Sequence, residues 1–404
     1  MVEKHTRGLR RNIFLLFWAK ALMTMGVINI VIVLFYIHRG VSVSEVFYLS
    51  VVWSLAMFVV EIPSSYLADR WGRKKTLILG GFFLLFYFLS LYVSYEFWQF
   101  AGGIVLLSSW FAAFSGTDEA LVYDSKRELG EEDVTLRSLG ILQSAPRFFK
   151  IFAPVIGALI AKDLLEIQYL TIVTIDLVAG VFGLVLLFFL TEPKHCMDVE
   201  QQESGIMIDA WRYITSNRGI VHIILNRFFA FTAVFIIWRY YQQIFVQFGV
   251  SIVVIGLVWG FVFQLISFVT VLNIQRIFPL VSLRLRIIRL NQLCVLFSFL
   301  CMLLVYFTQW WYVTLVCFSL LAYVEYIRTP LFSEIFHKFS HSYNRATFVS
   351  LSNTIKGFVD IPLLLCAGFL VSYDIRAPFI IAFVLLVFVV FVLRFPKGIP
   401  KKFV

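Results

Sequence analysis

Charged residues are scarce in this chain. Asp, Glu, Lys and Arg make up 14% of its 404 residues, whereas they make up roughly 25% of a soluble globular protein. The hydrophobic fraction is 61% and the mean hydropathy is +0.89. These values exclude a soluble protein and predict an integral membrane protein. The apolar runs have the length of membrane-spanning helices, about 20 residues. They lack the alternation over about 10 residues that is typical of membrane strands.

Cysteine is rare as well, and none of the five cysteines stands in a C-x-x-C pair. The sequence therefore predicts neither a disulfide framework nor a cysteine-based metal site. It also lacks a glycine-rich nucleotide-binding loop, a cluster of His and Cys ligands, and the G-x-S-x-G nucleophile motif. We therefore expect no enzyme, no bound metal and no cofactor.

Turn residues and charges divide the remaining sequence into twelve long apolar segments. They lie near residues 12–38, 43–67, 75–95, 98–124, 138–162, 167–191, 217–248, 251–274, 283–307, 309–336, 346–372 and 376–394. The predicted fold class is an all-α integral membrane protein with twelve transmembrane helices.

The distribution of basic residues predicts the orientation. With the N-terminus inside, 24 of the 34 Lys and Arg fall in cytoplasmic segments and three in outer loops. Cytoplasmic loops are rich in Lys and Arg, so both termini are expected to be cytoplasmic. The net charge of +10 then follows from topology and does not predict nucleic-acid binding. Seven basic residues fall within the spans: Lys20, Arg147, Lys150, Arg227, Arg239, Arg328 and Lys356.

A polar break separates six segments from six. It predicts an N-terminal six-helix bundle at 1–191, a cytoplasmic linker at 192–216 and a C-terminal six-helix bundle at 217–404. Within the linker, the apolar spacing from Met207 to Ile214 is that of one helix face. We expect a short helix there that lies on the inner membrane surface.

Polar features recur between the two halves at a nearly constant spacing. An offset of 207 residues relates Lys20 to Arg227 and Asp118 to Glu325. Offsets of 206 to 208 residues relate three further pairs: Arg70 with Arg276, Arg137 with Arg345, and Pro154 with Pro362. We infer that the halves are structural repeats.

Lys20, Asp118, Arg227 and Glu325 also share a depth in the membrane. At 1.5 Å per residue, all four lie about 10–16 Å from the cytoplasmic ends of their helices. An ionised side chain in lipid costs at least about 2.5–3.5 kcal/mol. We therefore expect these groups to face a watery cavity or one another.

The loop between the second and third segments reads "EIPSSYLADRWGRKKTL", residues 61–77. Its stretch from Asp69 to Lys74 resembles the D-R-x-G-R-K core of the signature loop of the major facilitator superfamily. The position of the loop in a twelve-helix, two-half chain matches as well, and the resemblance covers essentially the whole chain. It implies two pseudo-symmetric six-helix bundles and transport by alternating access, with helices 1, 4, 7 and 10 lining a central cavity.

Three further motifs resemble a bacterial branch described as efflux or drug:proton antiporters. They are E-I-P before the signature loop, S-G-x-D-E-A-x-x-Y-D at 115–124, and R-A-T at 345–347. The sequence also departs from the family. Ser65 replaces the first glycine of the loop signature, the helix 5 antiporter motif keeps only Pro154 and Gly157, and the usual helix 4 arginine is absent. Import and export both remain open.

The resemblance implies a cytoplasmic gate at the signature loop. Asp69 is expected to latch the cytoplasmic helix ends together in one conformation, through a helix N-terminus and nearby basic groups. The alternative is a solvated basic loop that serves only topology. The predicted gate residues are Asp69, Arg70, Gly72, Arg73 and Lys74.

Asp118, Glu119 and Glu325 are candidates for proton coupling. A carboxyl group whose cationic partner moves between two states changes its proton affinity and can load and release a proton. The alternative is a fixed ion pair between helices, with Lys20 or Arg227 as the partner.

Other intramembrane charges are spaced so that they can pair within one helix. Glu325 with Arg328 and Lys356 with Asp360 have i, i+3 and i, i+4 spacing, which favours structural pairs. The remaining cations need acids or substrate. The residues predicted to line a substrate cavity are Lys20, Arg227, Arg147, Lys150, Trp18 and Trp238.

These observations predict a monomeric secondary transporter in a bacterial inner membrane. The leading function is proton-coupled export of a small organic molecule, with the substrate, protons and lipid as its partners. The seven intramembrane cations favour an alternative, transport of an anionic metabolite or siderophore-like polycarboxylate. A lipid flippase is a third possibility.

Overall fold

The computed structural model describes residues 2–131, 134–193, 212, 214, 216–263, 283–308, 310–339 and 345–394. Every regular element within these ranges is helical. Most of the predicted linker helix lies outside them, as does Arg276.

The first six predicted segments form nine α-helices. A 3₁₀ turn at Val27–Ile30 lies between the first two. The nine are α1 Val2–Met23, α2 Ile32–His38, α3 Val43–Trp71, α4 Arg73–Val93, α5 Phe97–Phe114, α6 Thr117–Glu128, α7 Thr135–Phe148, α8 Ala153–Ile160 and α9 Glu166–Phe188.

The described residues of the second half form seven α-helices. They are α10 Arg218–Trp238, α11 Tyr241–Gln247, α12 Ile252–Gly256, α13 Leu283–Leu303, α14 Trp311–Phe339, α15 Arg345–Val371 and α16 Ala377–Phe391. Helices α12 and α13 continue as π-helical turns at Leu257–Phe263 and Leu304–Thr308.

The chain divides into two compact units. Unit 1 comprises Met1–Ser42 and Val52–Met197, and unit 2 comprises Val43–Val51 and Asp198–Val404. The start of α3 therefore belongs to unit 2, although the rest of α3 belongs to unit 1. Within unit 2, the ring of Phe47 at this start lies 5.8 Å from that of Tyr240.

Several of the helices have the length and composition of membrane spans. In the part of the chain that the structure describes, seven helical stretches meet both criteria, from Glu3–Ile30 to Leu285–Thr308. Each of the twelve predicted segments contains at least one helix. The prediction of an all-α, multi-pass membrane protein is confirmed. The sequence did not predict that several segments are interrupted.

Glycines bring the helices of unit 1 close together. A Cβ on Gly183 of α9 would lie 2.7 Å from Cγ of Met23 on α1, and a Cβ on Gly80 of α4 would lie 2.9 Å from Cβ of Ala113 on α5. Small residues allow such close approach between membrane helices, where van der Waals packing drives association. These contacts place α1, which carries Lys20, firmly against α9.

The two units share one local motif. The first segment of each ends in a seven-residue helix, α2 or α11, after an N-cap residue of nearly the same backbone geometry. The N-cap Val31 has φ −129° and ψ 5°, and the N-cap Tyr240 has φ −135° and ψ 6°. A glycine with positive φ follows each helix, Gly40 at 94° and Gly249 at 88°.

Candidate functional site

Lys20 and Asp118 form an ion pair inside unit 1. Nζ of Lys20 lies 2.5 Å from Oδ2 of Asp118, and Asp118 is only 2% exposed. Lys20 is on α1 and Asp118 is on α6, so the pair joins two helices. A shift of α1 relative to α6 would break it.

Both of these helices begin or end beside the pair. Helix α1 ends at Met23, and the chain then turns at Gly26, where φ is 61°. Helix α6 begins at Thr117, after Gly116 with φ 77°. Lys20 therefore lies near the negative C-terminal end of one helix and Asp118 near the positive N-terminal end of another. Helix dipoles favour this arrangement of charges.

Glu119 extends the polar cluster towards α7. The side-chain amide of Gln143, on α7, donates a hydrogen bond to Oε1 of Glu119. Arg147 follows Gln143 by one helical turn on the same face, and Lys150 lies just beyond the end of α7. The arrangement brings Lys20, Asp118, Glu119 and Gln143 together on α1, α6 and α7, which pack against each other.

Arg147 and Lys150 lie where the fifth segment is interrupted. Helix α7 ends at Phe148 and α8 starts at Ala153. Both side chains are exposed. Within the described ranges, no carboxylate lies within ion-pair distance of either cation. We expect these cations to pair with acids or with substrate. Among the described residues, no acid pairs with either of them.

Asp176 on α9 stabilises the turn that interrupts the first segment after Lys20. Its Oδ1 accepts a hydrogen bond from the backbone N–H of Val27 at 2.9 Å, and its Oδ2 accepts one from Ile28 at 2.8 Å. Gly157 on α8 packs against the same turn, because a Cβ there would lie 2.8 Å from Cγ2 of Ile30. The turn that ends α1 is therefore fixed from two neighbouring helices.

In unit 2, Glu325 pairs with Arg328 on its own helix, α14. Arg328 is fully buried, and its second terminal nitrogen donates to the side-chain oxygen of Asn226 at 3.3 Å. The Nδ2 of Asn226 donates to the backbone oxygen of Leu393 at 2.7 Å. Arg227 lies close enough to interact electrostatically with Glu325. The acid and its cation thus both lie on α14, and residues of α10 interact with them.

Lys356 and Asp360 form a second local pair, on α15. Asp360 is 1% exposed and also accepts a hydrogen bond from the hydroxyl of Thr232. The ammonium of Lys356 lies 4.8 Å from the ring centroid of Phe231. Glu325 and Asp360 therefore each have a cationic partner on their own helix, with further polar groups of α10 nearby.

The two tryptophans of the predicted cavity lie in aromatic clusters. The ring of Trp18 packs on Phe17 and Phe148, with centroids 5.4 and 5.3 Å apart. Trp238 stacks on Tyr241 at 6.5 Å and is 43% exposed. Trp18 thus contacts the residue next to Arg147, while Trp238 lies in unit 2.

A carboxylate just after the sixth segment holds the signature loop. Glu192 accepts hydrogen bonds from the backbone N–H groups of Arg73 and Lys74, each at 2.8 Å, at the start of α4. Gly72 has φ 104°, and a Cβ there would lie 3.3 Å from Cδ of Glu192. The loop thus needs a glycine both for its backbone conformation and for the approach of Glu192.

The side chains of the loop have separate partners. The guanidinium of Arg73 forms an ion pair with Asp124 and donates to the backbone oxygen of Ala120, both on α6. The guanidinium of Arg70 lies 5.2 Å from the ring centroid of Tyr66. The side chain of Asp69 lies outside the described residues.

Sequence reasoning missed four polar residues of this arrangement: Asp176, Gln143, Glu192 and Asn226. A buried carboxylate without a local partner was the only signal for Asp176. Glu192 stood in a polar linker, where an acid is ordinary. The partners of all four come from distant parts of the chain, and only the fold reveals them.

Known proteins resemble this chain in sequence pattern and in fold. A family model described as the Major Facilitator Superfamily matches residues 14–362. A D-xylose–proton symporter aligns with a TM-score of 0.66 and 13% identity over 98% of both chains. The nucleoside transporter NupG aligns with a TM-score of 0.68 and 13% identity, over 96% of this chain and 98% of that one.

A third solved structure is a bacterial homologue of the iron transporter ferroportin in an inward-facing state. It aligns with a TM-score of 0.66 and 15% identity, over 95% of this chain and 98% of its own. At such identities the likeness shows a shared fold. No curated protein sequence matches the chain.

Proposed function

The chain belongs to the Major Facilitator Superfamily, and from that premise we propose that it exports a small organic molecule by proton-coupled alternating access. Membership makes it a membrane transporter and not an enzyme. The sequence motifs at 61–63, 115–124 and 345–347 support the export direction, because they resemble those of efflux proteins. The distribution of Lys and Arg supports a cytoplasmic location of both termini, and the same motifs support a bacterial inner membrane. We propose that the protein works as a monomer.

The interhelical pair of Lys20 and Asp118 carries the proposal. Interrupted helices form the substrate and coupling-ion sites of many secondary transporters, and their free ends face the bound charges. In unit 1 the pair joins the end of α1 to the start of α6. An ion pair between two such ends can open and close as the helices move, and this changes the proton affinity of the acid.

Asp118 and Glu119 are the proton carriers of this proposal. They are adjacent in sequence, and their partners, Lys20 and Gln143, come from two different helices. Protonation of Asp118 would release Lys20, and loss of the proton would restore the pair. Glu325 was the third candidate. Its pairing with Arg328 on the same helix favours the structural alternative for that residue.

The contacts of the signature loop support a role at a gate. Glu192, Asp124 and the backbone of α4 hold Gly72, Arg73 and Lys74 in one conformation. We assign this loop, with Asp69 and Arg70, to the cytoplasmic gate and not to substrate contact.

Uptake into inverted membrane vesicles tests the proposal. Vesicles that contain the protein receive a proton gradient, acid inside, and a panel of organic molecules of either charge, including ethidium and citrate. We expect gradient-dependent accumulation of at least one compound, and its loss in Asp118→Asn and in Glu119→Gln. Asp163→Asn, at an exposed acid of a loop, is the matched control. Unchanged accumulation in both variants would show that the acidic pair does not couple protons.

A second candidate function is transport of an organic anion, and the open cations Arg147 and Lys150 favour it. The sign of the pH dependence shows which charge the substrate carries. A cationic substrate competes with protons for Asp118 and Glu119, so it binds more weakly at low pH. An anion near Lys20, Arg147 and Lys150 binds more tightly when those acids are protonated. Binding affinity measured between pH 5 and pH 8 gives the sign.

A further inference from the structure

Arg147 and Lys150 place two positive charges at the junction of α7 and α8. They repel each other electrostatically, and both are exposed. In the ranges that the structure describes, neither is near enough to a carboxylate to form an ion pair. Two neighbouring cations within a predicted membrane span require a counter-charge from another source.

Unit 2 contains an internal reference for Lys150. Lys356 is likewise an intramembrane lysine, in the other half of the chain. Lys356 is neutralised by Asp360 on the next helical turn. In unit 1, Pro154 stands four residues after Lys150, at the spacing at which Asp360 follows Lys356. The lysine is thus paired in one unit, whereas unit 1 has a proline in place of its acid.

The open cations lie on the polar side of α7. Gln143 precedes Arg147 by one helical turn, and its side-chain amide donates a hydrogen bond to Glu119. Arg147 therefore lies on the side of α7 from which Gln143 contacts Glu119. Asp118 and Glu119 already have Lys20 and Gln143 as partners. These acids therefore do not neutralise Arg147 or Lys150.

An aromatic surface lies beside the cations. The ring of Phe148, next in sequence to Arg147, packs on Trp18 with centroids 5.3 Å apart, and 49% of Phe148 is exposed. A ligand that extends from the cations over this surface would bury apolar area. The residues therefore suit a molecule that combines an anionic group with an aromatic or aliphatic body.

We propose that Arg147 and Lys150 bind the carboxylate or phosphate group of an organic anion, with Phe148 and Trp18 against its apolar part. This inference rests on the proposed transport function and names the class of its substrate. The guanidinium fork of Arg147 binds one anionic group through two parallel hydrogen bonds, and the ammonium of Lys150 adds a point charge.

Binding to the purified protein in lipid nanodiscs tests the proposal, independently of transport. The probes are benzoate and phenyl phosphate, with uncharged benzamide for comparison, at constant ionic strength. We expect both anions to raise the unfolding temperature and benzamide to leave it unchanged. Arg147→Gln and Lys150→Gln should each weaken anion binding about 10-fold, as the loss of one charge-assisted hydrogen bond does.

Two further variants make the test specific. Arg137→Gln removes an exposed cation at the other end of α7 and should leave binding unchanged. Pro154→Asp introduces an acid four residues after Lys150, the spacing of the Lys356–Asp360 pair, and should weaken anion binding although both cations remain. Size-exclusion profiles identify any variant that fails to fold.

The proposal is overturned if neither anion binds better than benzamide, or if Arg147→Gln, Lys150→Gln and Pro154→Asp all bind anions like the wild type. Either result leaves proton coupling at Asp118 and Glu119 untouched, because the vesicle experiment tests that function with compounds of both charges.

Discussion

The two units place their intramembrane charges differently. In unit 1, Asp118 has its partner on another helix, and Arg147 and Lys150 lack an acid among the described residues. In unit 2, Glu325 and Asp360 have their partners on their own helices, at i+3 and i−4. A pair within one helix survives any rigid movement of that helix, whereas a pair between two helices responds to it.

The helices of the two units also differ in where they are interrupted. Unit 1 interrupts its segments after Lys20, before Asp118 and at Lys150. About 207 residues later, α14 and α15 run without interruption through the equivalent positions, and α10 continues to Trp238 before its segment breaks. Every interruption frees backbone groups that need new partners. The charged residues of unit 1 therefore lie closer to helix breaks than those of unit 2.

The largest expected effects come from removing one member of a buried ion pair. Lys20→Met and Arg328→Met should each lower the free energy of unfolding by about 3–5 kcal/mol, because a buried carboxylate loses its partner. Replacing both members with apolar residues should restore most of the stability. Thermal unfolding in detergent measures these effects for Lys20→Met/Asp118→Leu and for Glu325→Leu/Arg328→Met.

Transport by the two double variants then tests the comparison itself. We expect Lys20→Met/Asp118→Leu to fold and to lose proton-driven uptake, and Glu325→Leu/Arg328→Met to fold and to retain it. The reverse pattern would place coupling in unit 2 and would contradict the distinction between the units.

Asp176→Asn should have a smaller effect. The substitution replaces one of the two oxygens that accept hydrogen bonds from Val27 and Ile28, so one buried N–H loses its acceptor. The expected cost is up to about 3 kcal/mol. Hydrogen exchange at residues 24–31 should increase, while exchange in α10 of unit 2 should not change. Unaltered exchange at 24–31 would mean that Asp176 does not hold the turn.

Gly157→Ala should destabilise unit 1 by about 1–3 kcal/mol through overpacking. The added Cβ would lie 2.8 Å from Cγ2 of Ile30 and 3.2 Å from Cγ1 of Val27. Gly140→Ala on α7 is the matched control, because nothing lies within 4 Å of its Cβ position. This control should gain about 0.5–1 kcal/mol from the better helix propensity of alanine. Equal unfolding temperatures for the two variants would contradict the packing argument.

The smallest effect is expected outside the membrane, at Glu131. A hydrogen bond from Lys126, together with the charges of Lys126 and Arg10, lowers the pKa of Glu131 below its usual value of 4.5. The ionised carboxylate therefore stabilises the fold above about pH 4.5, and this contribution is lost as the pH falls through the lowered pKa. Glu131→Gln should change the stability by less than about 1 kcal/mol, as exposed ion pairs do.

The difference in unfolding temperature between wild type and Glu131→Gln, measured from pH 7 to pH 3, isolates this contribution. It should be present at neutral pH, shrink in acid and shrink with added salt. If the difference in unfolding temperature grew as the pH fell, the lowered pKa of Glu131 would be contradicted. If the difference were large at neutral pH, this exposed pair would stabilise the fold as much as the buried pairs do.

Much of the fold could be predicted because long apolar stretches have few alternatives in a bilayer. A backbone in hydrocarbon must satisfy its own hydrogen bonds, so each such stretch becomes a helix. The depth of Lys20 and Asp118 followed from the rise per residue, and their actual contact agrees with the expectation that these charges meet polar groups. The sequence could not choose between Lys20 and Arg227 as the partner of Asp118, because both lie at a similar depth.

The interruptions could not be predicted in the same way. Gly26 and Gly116 are visible in the sequence, yet Gly102 and Gly140 lie within uninterrupted helices. The difference is supplied by Asp176, which accepts the freed N–H groups beyond Gly26 from 149 residues away. A glycine permits a break, and a distant acceptor is what makes it stable.

The amino-acid sequence by itself determined that this is a helical membrane protein of two related halves, because hydrophobic length, charge asymmetry and repeat spacing are properties of the chain alone. The tertiary structure decided which charges neutralise each other and where the helices stop. Those outcomes depend on contacts between side chains of helices that are distant in sequence. In a medium without water, an ion or a free N–H group is stable only where the fold supplies a partner for it.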